Sequence, residues 1–403
     1  MYEDVPGTLS APIAVGRGAQ HATNIEHVIQ ALAFHGPCSQ ATVSRTVGLS
    51  RPSVHSIIHE LEAAGKVEIL PGPNRRDCAV RLVANTGRYI ALDLGHELVR
   101  GMFVDLERKV SYRLAESITG SHHHTGDLAA IGKVVDGLCA LSGVSLGDMT
   151  SIAVTLHAPI DWAGIVSPST IMPNWTGLVP TEVISSYLGK DVVVENDANA
   201  AAIAEWAWGA GRGSKCFMYV KTSQGVGAGI VMSGSVMRGA TGVAGEIGHI
   251  VVEPHGPLCN CGNRGCLSAV ASGQALLAQF DRINDAPESL HDLVDQALAD
   301  NPVASRVITE AGHHLGTVLA HVIAILGPDR VAIGGELARA GKLHLDAVKS
   351  TVIERIVHTI STGTILVHGS IDDSPSLMGG LLLAMRADGQ AMSVIPDWIL
   401  QQS

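Results

Sequence analysis

Between Gly245 and Cys266 the chain reads GEIGHIVVEPHGPLCNCGNRGC, and this run restricts the fold more than any other. Cys259, Cys261 and Cys266 can supply three thiolates, and His249 ahead of them an imidazole. Three sulfurs and one nitrogen suit a tetrahedral zinc ion in a closed structural site, with no position left for a reactive water. Buried free thiols or a single disulfide are the alternative that the spacing leaves open. Cys38, Cys78, Cys139 and Cys216 are scattered and read as small core or surface residues.

At 403 residues the chain has room for two or three domains with cores of their own. It contains no 18-residue apolar run and no basic start followed by an apolar stretch. These features predict a cytoplasmic chain with reduced cysteines and no membrane partner. The net charge of −11 argues against a nucleic-acid partner until it is divided. Residues 1–87 hold seven Lys/Arg and seven Asp/Glu, so the whole excess of negative charge lies after them. A neutral head on an acidic body leaves the head free to carry a local basic face.

Residues 1–20 lack periodicity and read as a flexible tail; residues 21–87 read as one domain. Ile25, Val28, Ile29 and Leu32 recur at helical spacing, and Gly36-Pro37 stops that helix. Ser39 can cap a second helix holding Val43 and Val47. Gly48 makes a turn, and Ser50 caps a third helix with Val54, Ile57, Ile58 and Leu61 on its buried side. Strands at 67–70 and 79–83 flank a turn carrying Arg75 and Arg76. This order is the outline of a winged helix-turn-helix, whose third helix enters the major groove through its N-terminal half. Arg51 is then placed for a base edge, and Ser53, His55 and Ser56 for bases or phosphates. Ser39 and Gln40, at the start of the second helix, and Arg75 and Arg76, on the wing, complete the candidate DNA contacts. A helical protein-interaction module is the competing reading.

After residue 87 strands and helices alternate. Strands at 89–94, 99–106, 152–156 and 192–194 lead to Glu195-Asn196-Asp197 and an alanine-rich helix. A related pattern follows: a strand at 217–221, the turn Gly225-Val226-Gly227-Ala228-Gly229, and a returning strand. Two lobes opening in the same way predict duplicated α/β halves around a cleft, at 88–200 (with a helix at 376–390) and 201–403.

The run Gly225–Ile230, then Gly239, then Gly245-Glu246-Ile247-Gly248-His249 and the cysteines, resembles the signature of the ROK family of repressors, open reading frames and kinases. The winged head makes the chain similar to the repressor branch. The resemblance implies an actin-like, ribonuclease-H-like two-lobe body, a structural zinc, a sugar site in the cleft, and homodimers or homotetramers on palindromic double-stranded DNA operators. It places Asn174, Asn196, Asp197, Glu246 and His249 on the sugar, with Asp197 where a kinase takes the proton from a hydroxyl. His249 can then serve both zinc and sugar, one ring nitrogen for each.

Departures from the kinase pattern decide the expected activity. The Asp-x-Gly-Gly-Thr phosphate loop reads Asp93-Leu94-Gly95-His96-Glu97 here. Glu97 turns a carboxylate toward a polyphosphate, a repulsion costing about 1 kcal/mol or more. The family's Gly-Cys-Leu-Glu ends in Ser268, and its Gly-x-Pro-Gly reads His157-Ala158-Pro159-Ile160. The expectation is therefore a sugar-responsive regulator, a repressor of carbohydrate uptake or catabolism genes, and not an enzyme. An ATP-dependent sugar kinase with a fused DNA-binding head is the alternative.

Overall fold

The structure, a computed structural model, describes residues 37–400 apart from 72–77, 84–86, 119–122, 169–171, 281–285, 357–362, 372–373 and 391–394, together with residues 21, 24, 25, 27–29, 31, 32 and 35. The tail 1–20 and the wing arginines Arg75 and Arg76 lie outside the described residues. The chain divides into two compact units, Met1–Asn85 with Gly389–Ser393, and Thr86–Asp388 with Val394–Ser403.

In the first unit the described residues from 21 to 35 are helical. Helix Gln40–Val47 begins where the Ser39 hydroxyl accepts the Thr42 amide at 3.2 Å. It ends at Gly48, whose left-handed φ of 68° lets its amide reach back to the Ser44 carbonyl at 3.1 Å. Helix Arg51–Ala63 starts from Ser50, whose hydroxyl accepts the Ser53 amide at 3.3 Å. Its buried stripe is Val54, Ile57, Ile58 and Leu61, packed with Val28, Leu32 and Val43. Each such side chain contributes about 1.5–3 kcal/mol by leaving water, which fixes the angle between these helices. Strands β1 (Cys38–Ser39), β2 (Val67–Leu70) and β3 (Ala79–Leu82) form an antiparallel sheet in the order β1-β3-β2. At two residues β1 is too short to carry a pattern, and the sequence does not announce it.

The second unit holds two five-stranded sheets. The first contains β4 (Arg88–Leu94), β5 (Leu98–Asp105), β6 (Val110–Ser117), β7 (Ser151–Leu156) and β8 (Val193–Asn196), ordered β6-β5-β4-β7-β8. The second contains β9 (Cys216–Thr222), β10 (Val226–Met232), β11 (Ser235–Val236), β12 (Arg330–Gly334) and β13 (Ile365–His368), ordered β11-β10-β9-β12-β13. In each, the first three strands are an antiparallel meander and the last two join parallel to the first. One strand order used twice is the duplication that the repeated opening pattern of the two lobes predicts.

Two helices tie the halves together. Helix Asp197–Trp208 leaves the first sheet and packs on β9 and β10 of the second. Helix Pro375–Ala387 leaves the second and packs on β4 and β7 of the first. They meet where Gly379 comes so near that a Cβ there would sit 1.9 Å from the Ala200 carbonyl oxygen. The last residues also return to the first half. Ile399 is fully buried against β6, where Ser111 donates to the Trp398 carbonyl at 3.3 Å and Arg113 to that of Ile399 at 3.4 Å. The sequence assigns them to the second half, but β6 is an edge strand whose unpaired groups attract a covering segment. Among the described residues no helix is long and apolar enough to cross a membrane.

Candidate effector cleft and metal centre

A cleft of about 1620 Å³ lies where β4, β7, β8, β9 and β12 end. Ligands collect at the carboxyl ends of parallel strands because helix N-termini and loop amides converge there. Asp93, His157, Asp197 and Lys221 form its floor. Asp197 opens the helix after β8. One oxygen accepts the Ala198 amide at 2.8 Å; the other takes the Lys221 ammonium at 2.5 Å and faces His157 Nε2 at 3.5 Å. His157 Nδ1 donates to the Leu94 carbonyl at 2.8 Å, so in the neutral ring Nε2 carries the lone pair turned to Lys221 at 3.4 Å.

Protonation follows from this packing. Burial alone raises the Asp197 carboxyl, but Lys221 and His157 more than offset it and hold the group below the usual carboxylate range. Burial works against the Lys221 charge, yet Asp197 and Asp93 keep it raised. Burial and the Lys221 charge outweigh Asp197 and Asp93 and hold His157 below the usual imidazole range. Asp93 accepts the Thr155 hydroxyl at 2.7 Å and faces Arg100 at 3.9 Å. The floor is therefore an internally paired cluster.

Asn196 caps the same helix. Its side-chain oxygen accepts the Ala198 and Asn199 amides at 3.0 and 3.1 Å, and its nitrogen donates to the Ala158 carbonyl at 3.2 Å. It lines the cleft with much of its bonding capacity committed to the backbone. Asn174 is exposed on the turn Pro173–Trp175, whose Pro173 reaches the cleft. Beneath it Trp175 is buried and donates to Asp127 at 2.7 Å, anchoring the turn. His96, Glu97 and Ser268 all line the cleft. Glu246 lines the cleft with 44% of its side chain open to solvent. Loss of hydration in the cleft, with the Asp197 charge, pushes its carboxyl up to about 7.

Glu246 and His249 belong to the loop that carries the cysteines. The donor atoms of His249, Cys259, Cys261 and Cys266 all lie within 4.8 Å of one another. Cys259 Sγ stands 3.6 Å from His249 Nδ1, and Cys261 Sγ 3.6 Å from Cys266 Sγ. A disulfide needs a sulfur separation of about 2.05 Å, whereas tetrahedral zinc bonds of about 2.3 Å put sulfurs roughly 3.7 Å apart. The four donors fit a divalent metal. Burial and the neighbouring sulfurs push the Cys266 thiol up to about 12, a penalty that a cation removes by deprotonating the ligand. The second ring nitrogen, His249 Nε2, faces Glu246 at 4.0 Å.

In the first unit, Arg51, Ser53, His55 and Ser56 are exposed on helix Arg51–Ala63. His55 Nδ1 lies 3.2 Å from Gln40 Oε1, which joins the two helices of the turn. Ser39 is occupied as the cap described above.

A family model described as "ROK family" matches residues 89–387. The chain belongs to the ROK family. The DNA-binding transcriptional repressor Mlc of Escherichia coli K12 is 28% identical over 356 residues, covering 84% of this chain and 87% of Mlc. Glucokinase of Thermotoga maritima is 32% identical over 241 residues, 56% of this chain and 76% of the kinase. Among solved structures, a ROK family transcriptional regulator described as a homolog of E. coli Mlc superposes with a TM-score of 0.73 at 25% identity, covering 91% of this chain and 96% of its own. The repressor match takes in more of this chain than the ROK kinase match does.

His157 and Lys221 are cleft residues to which sequence reasoning gives no role. A lone lysine inside the apolar strand FMYVKT was the available signal, because a charge in a buried strand requires a partner.

Proposed function

We propose that this chain is a DNA-binding transcriptional regulator, a repressor of carbohydrate uptake or catabolism genes, whose operator affinity is set by a sugar or sugar derivative in the ROK cleft. The observation that carries this reading is the head: a helix-turn-helix with a three-stranded sheet on the same chain as the cleft, within a likeness to Mlc that extends over 84% of the residues. Arg51 is assigned to a base edge, and Ser39, Gln40, Ser53, His55, Ser56, Arg75 and Arg76 to bases and phosphates. Asn174, Asn196, Asp197, Glu246 and His249 are assigned to the effector, whose vicinal hydroxyls match carboxylate and amide partners.

Zinc is the metal assigned to His249, Cys259, Cys261 and Cys266; when bound, it supplies a fixed cross-link and no reactive water. His249 Nδ1 is the ligand atom, leaving Nε2 toward the cleft beside Glu246. A homodimer would present two heads to a palindromic operator, with half-sites spaced by the helical repeat, so small changes in head separation alter affinity. Release of an operator fragment at fixed salt by one member of a hexose, pentose and amino-sugar panel is the expected result. Indifference to every sugar defeats the effector model.

The kinase reading draws on Asp197 and on the likeness to a glucokinase. A general base works best with a proton affinity near the working pH. Asp197 is held below the carboxylate range by the Lys221 ammonium, and Glu97 lines the cleft, where its charge would oppose a polyphosphate. A coupled ADP-release assay over the same panel is expected to show no turnover.

A further inference from the structure

Two loops from opposite halves of the body meet beside the cleft, fastened by residues with no role so far. Glu195 is the next-to-last residue of β8, immediately before Asn196 and Asp197, and its side chain is 2% exposed. Its carboxylate accepts Nη1 of Arg238 at 3.2 Å and also Nη2, the Asn196 amide at 2.9 Å, and Nδ2 of Asn199 at 3.1 Å. Arg238 comes from the other half, after β11, on the loop that runs through Val243 to Glu246 along the cleft wall. The Trp162 ring lies over its guanidinium, 5.9 Å from carbon to centroid. Trp162 comes from the first half, on the turn after β7 whose Pro159, Ser167 and Pro168 line the cleft.

Trp162 is 63% exposed, an unusual place for a large aromatic, yet its Nε1 donates to the Gly239 carbonyl at 2.9 Å. Gly242, with φ at +94°, packs against the same turn so closely that a Cβ would stand 2.6 Å from the Trp162 amide nitrogen. Three separate contacts thus join the Arg238 loop to the first half: a bidentate ion pair to the buried Glu195 carboxylate on β8, and, to the turn after β7, an indole hydrogen bond with its cation–π contact and a backbone seat. Breaking the first without replacement strands a buried carboxylate, the most costly event of the three.

We propose that Arg238 is a positioning residue of the effector site, holding the loop that bears Glu246 in register with Asp197, and that with Trp162 it forms a latch which any opening of the cleft has to break. The inference rests on the effector reading of the cleft. A ligand touching both walls adds its contacts to the latch, so effector affinity depends on the latch being intact. Lysine cannot replace the arginine in full, since a point charge does not span both carboxylate oxygens.

The test uses the full chain, with Arg238→Met, Arg238→Lys and Trp162→Ala. The first can fail to fold by stranding Glu195; Trp162 is exposed, so its variant keeps the question answerable. Amide hydrogen exchange is measured without ligand, and operator release with D-glucose, D-xylose and N-acetyl-D-glucosamine as probes. In Trp162→Ala the amides of 159–167 and 237–245 are expected to exchange together about tenfold faster, with β4 and β9 unchanged. Arg238→Met exceeds this, and Arg238→Lys falls between it and the parent. The probe concentration for half-release rises by about tenfold for whichever sugar acts on the parent. Loosening of one loop alone, or of neither, overturns the latch. If no probe acts on the parent, the release assay is extended to the full sugar panel, whose silence overturns the effector reading by itself, and coupled or uncoupled exchange still decides for or against the latch.

Discussion

His344 offers a quantitative test of how the second half of the body is packed. It lies in helix Lys342–Arg355, is 1% exposed, and has no hydrogen-bond partner for either ring nitrogen among the described residues. Its Cδ2 atom lies 3.5 Å from where a Cβ on Gly312 would be, so the ring is wedged between this helix and Pro302–Leu326. Burial, assisted by His368, lowers it from 6.5 to about 4. The unfolded chain therefore takes up this proton near pH 6.5 and the folded chain only near pH 4. Stability is full above pH 6.5 and falls as the pH drops toward 4. A shift of about 2.5 units corresponds to roughly 3 kcal/mol below pH 4, of which about 2 kcal/mol is lost between pH 7 and pH 5. In His344→Leu that loss disappears, and removing two unsatisfied nitrogens adds about 1 kcal/mol or more at neutral pH. Urea midpoints of the larger unit at pH 7 and pH 5, parent against variant, give both numbers. Equal acid sensitivity in the two proteins, or a variant weaker at pH 7, would show that the ring nitrogens are satisfied and refute the reasoning.

Three further outcomes are expected. Cys261→Ser is expected to lose zinc, measured by metal analysis after dialysis, and to lose effector-induced operator release, whereas Glu246→Ala loses release alone. Normal release in zinc-free Cys261→Ser would separate the metal loop from the effector response. Lys221→Met leaves Asp197 buried without its counter-charge and is expected to cost about 3 kcal/mol in urea unfolding, with Asp197→Asn in the same chain restoring much of the loss. Additive effects of the two changes would mean that the pair is not coupled. Gly379→Ala drives a methyl toward the Ala200 carbonyl and is expected to lower stability by about 1–3 kcal/mol, visible as a lower Tm of the larger unit.

The head was legible in the sequence because its signals are local. Caps at Ser39 and Ser50, the turn at Gly48 and the stripe Val54-Ile57-Ile58-Leu61 all act within a few residues. The cysteine loop was legible for the same reason. The cleft floor was not. Lys221 in β9 and Asp197 at the start of the helix after β8 are 24 residues apart, and His157 and Lys221 are 64 apart. Only the strand order brings them together, and no spacing rule reports it. His157 was visible merely as a departure from a glycine pattern. Arg238 and Glu195, 43 residues apart, show the same limit: each reads as an ordinary surface charge until the fold buries one of them.

The two crossing helices also set a timetable. The sheet β6-β5-β4-β7-β8 is complete at Asn196, but the helix that covers β4 and β7 begins at Pro375, and the segment on β6 arrives with Trp398. During synthesis the first half therefore waits, with an apolar face uncovered, while the second half is made. The N-terminal head draws its apolar core from residues 25–82, and that core has no such delay. A ribosome stalled after Asn196 would hold a folded head beside a body that still needs its last residues. Chaperone demand is accordingly concentrated in the second half of translation, on a surface that belongs to the first.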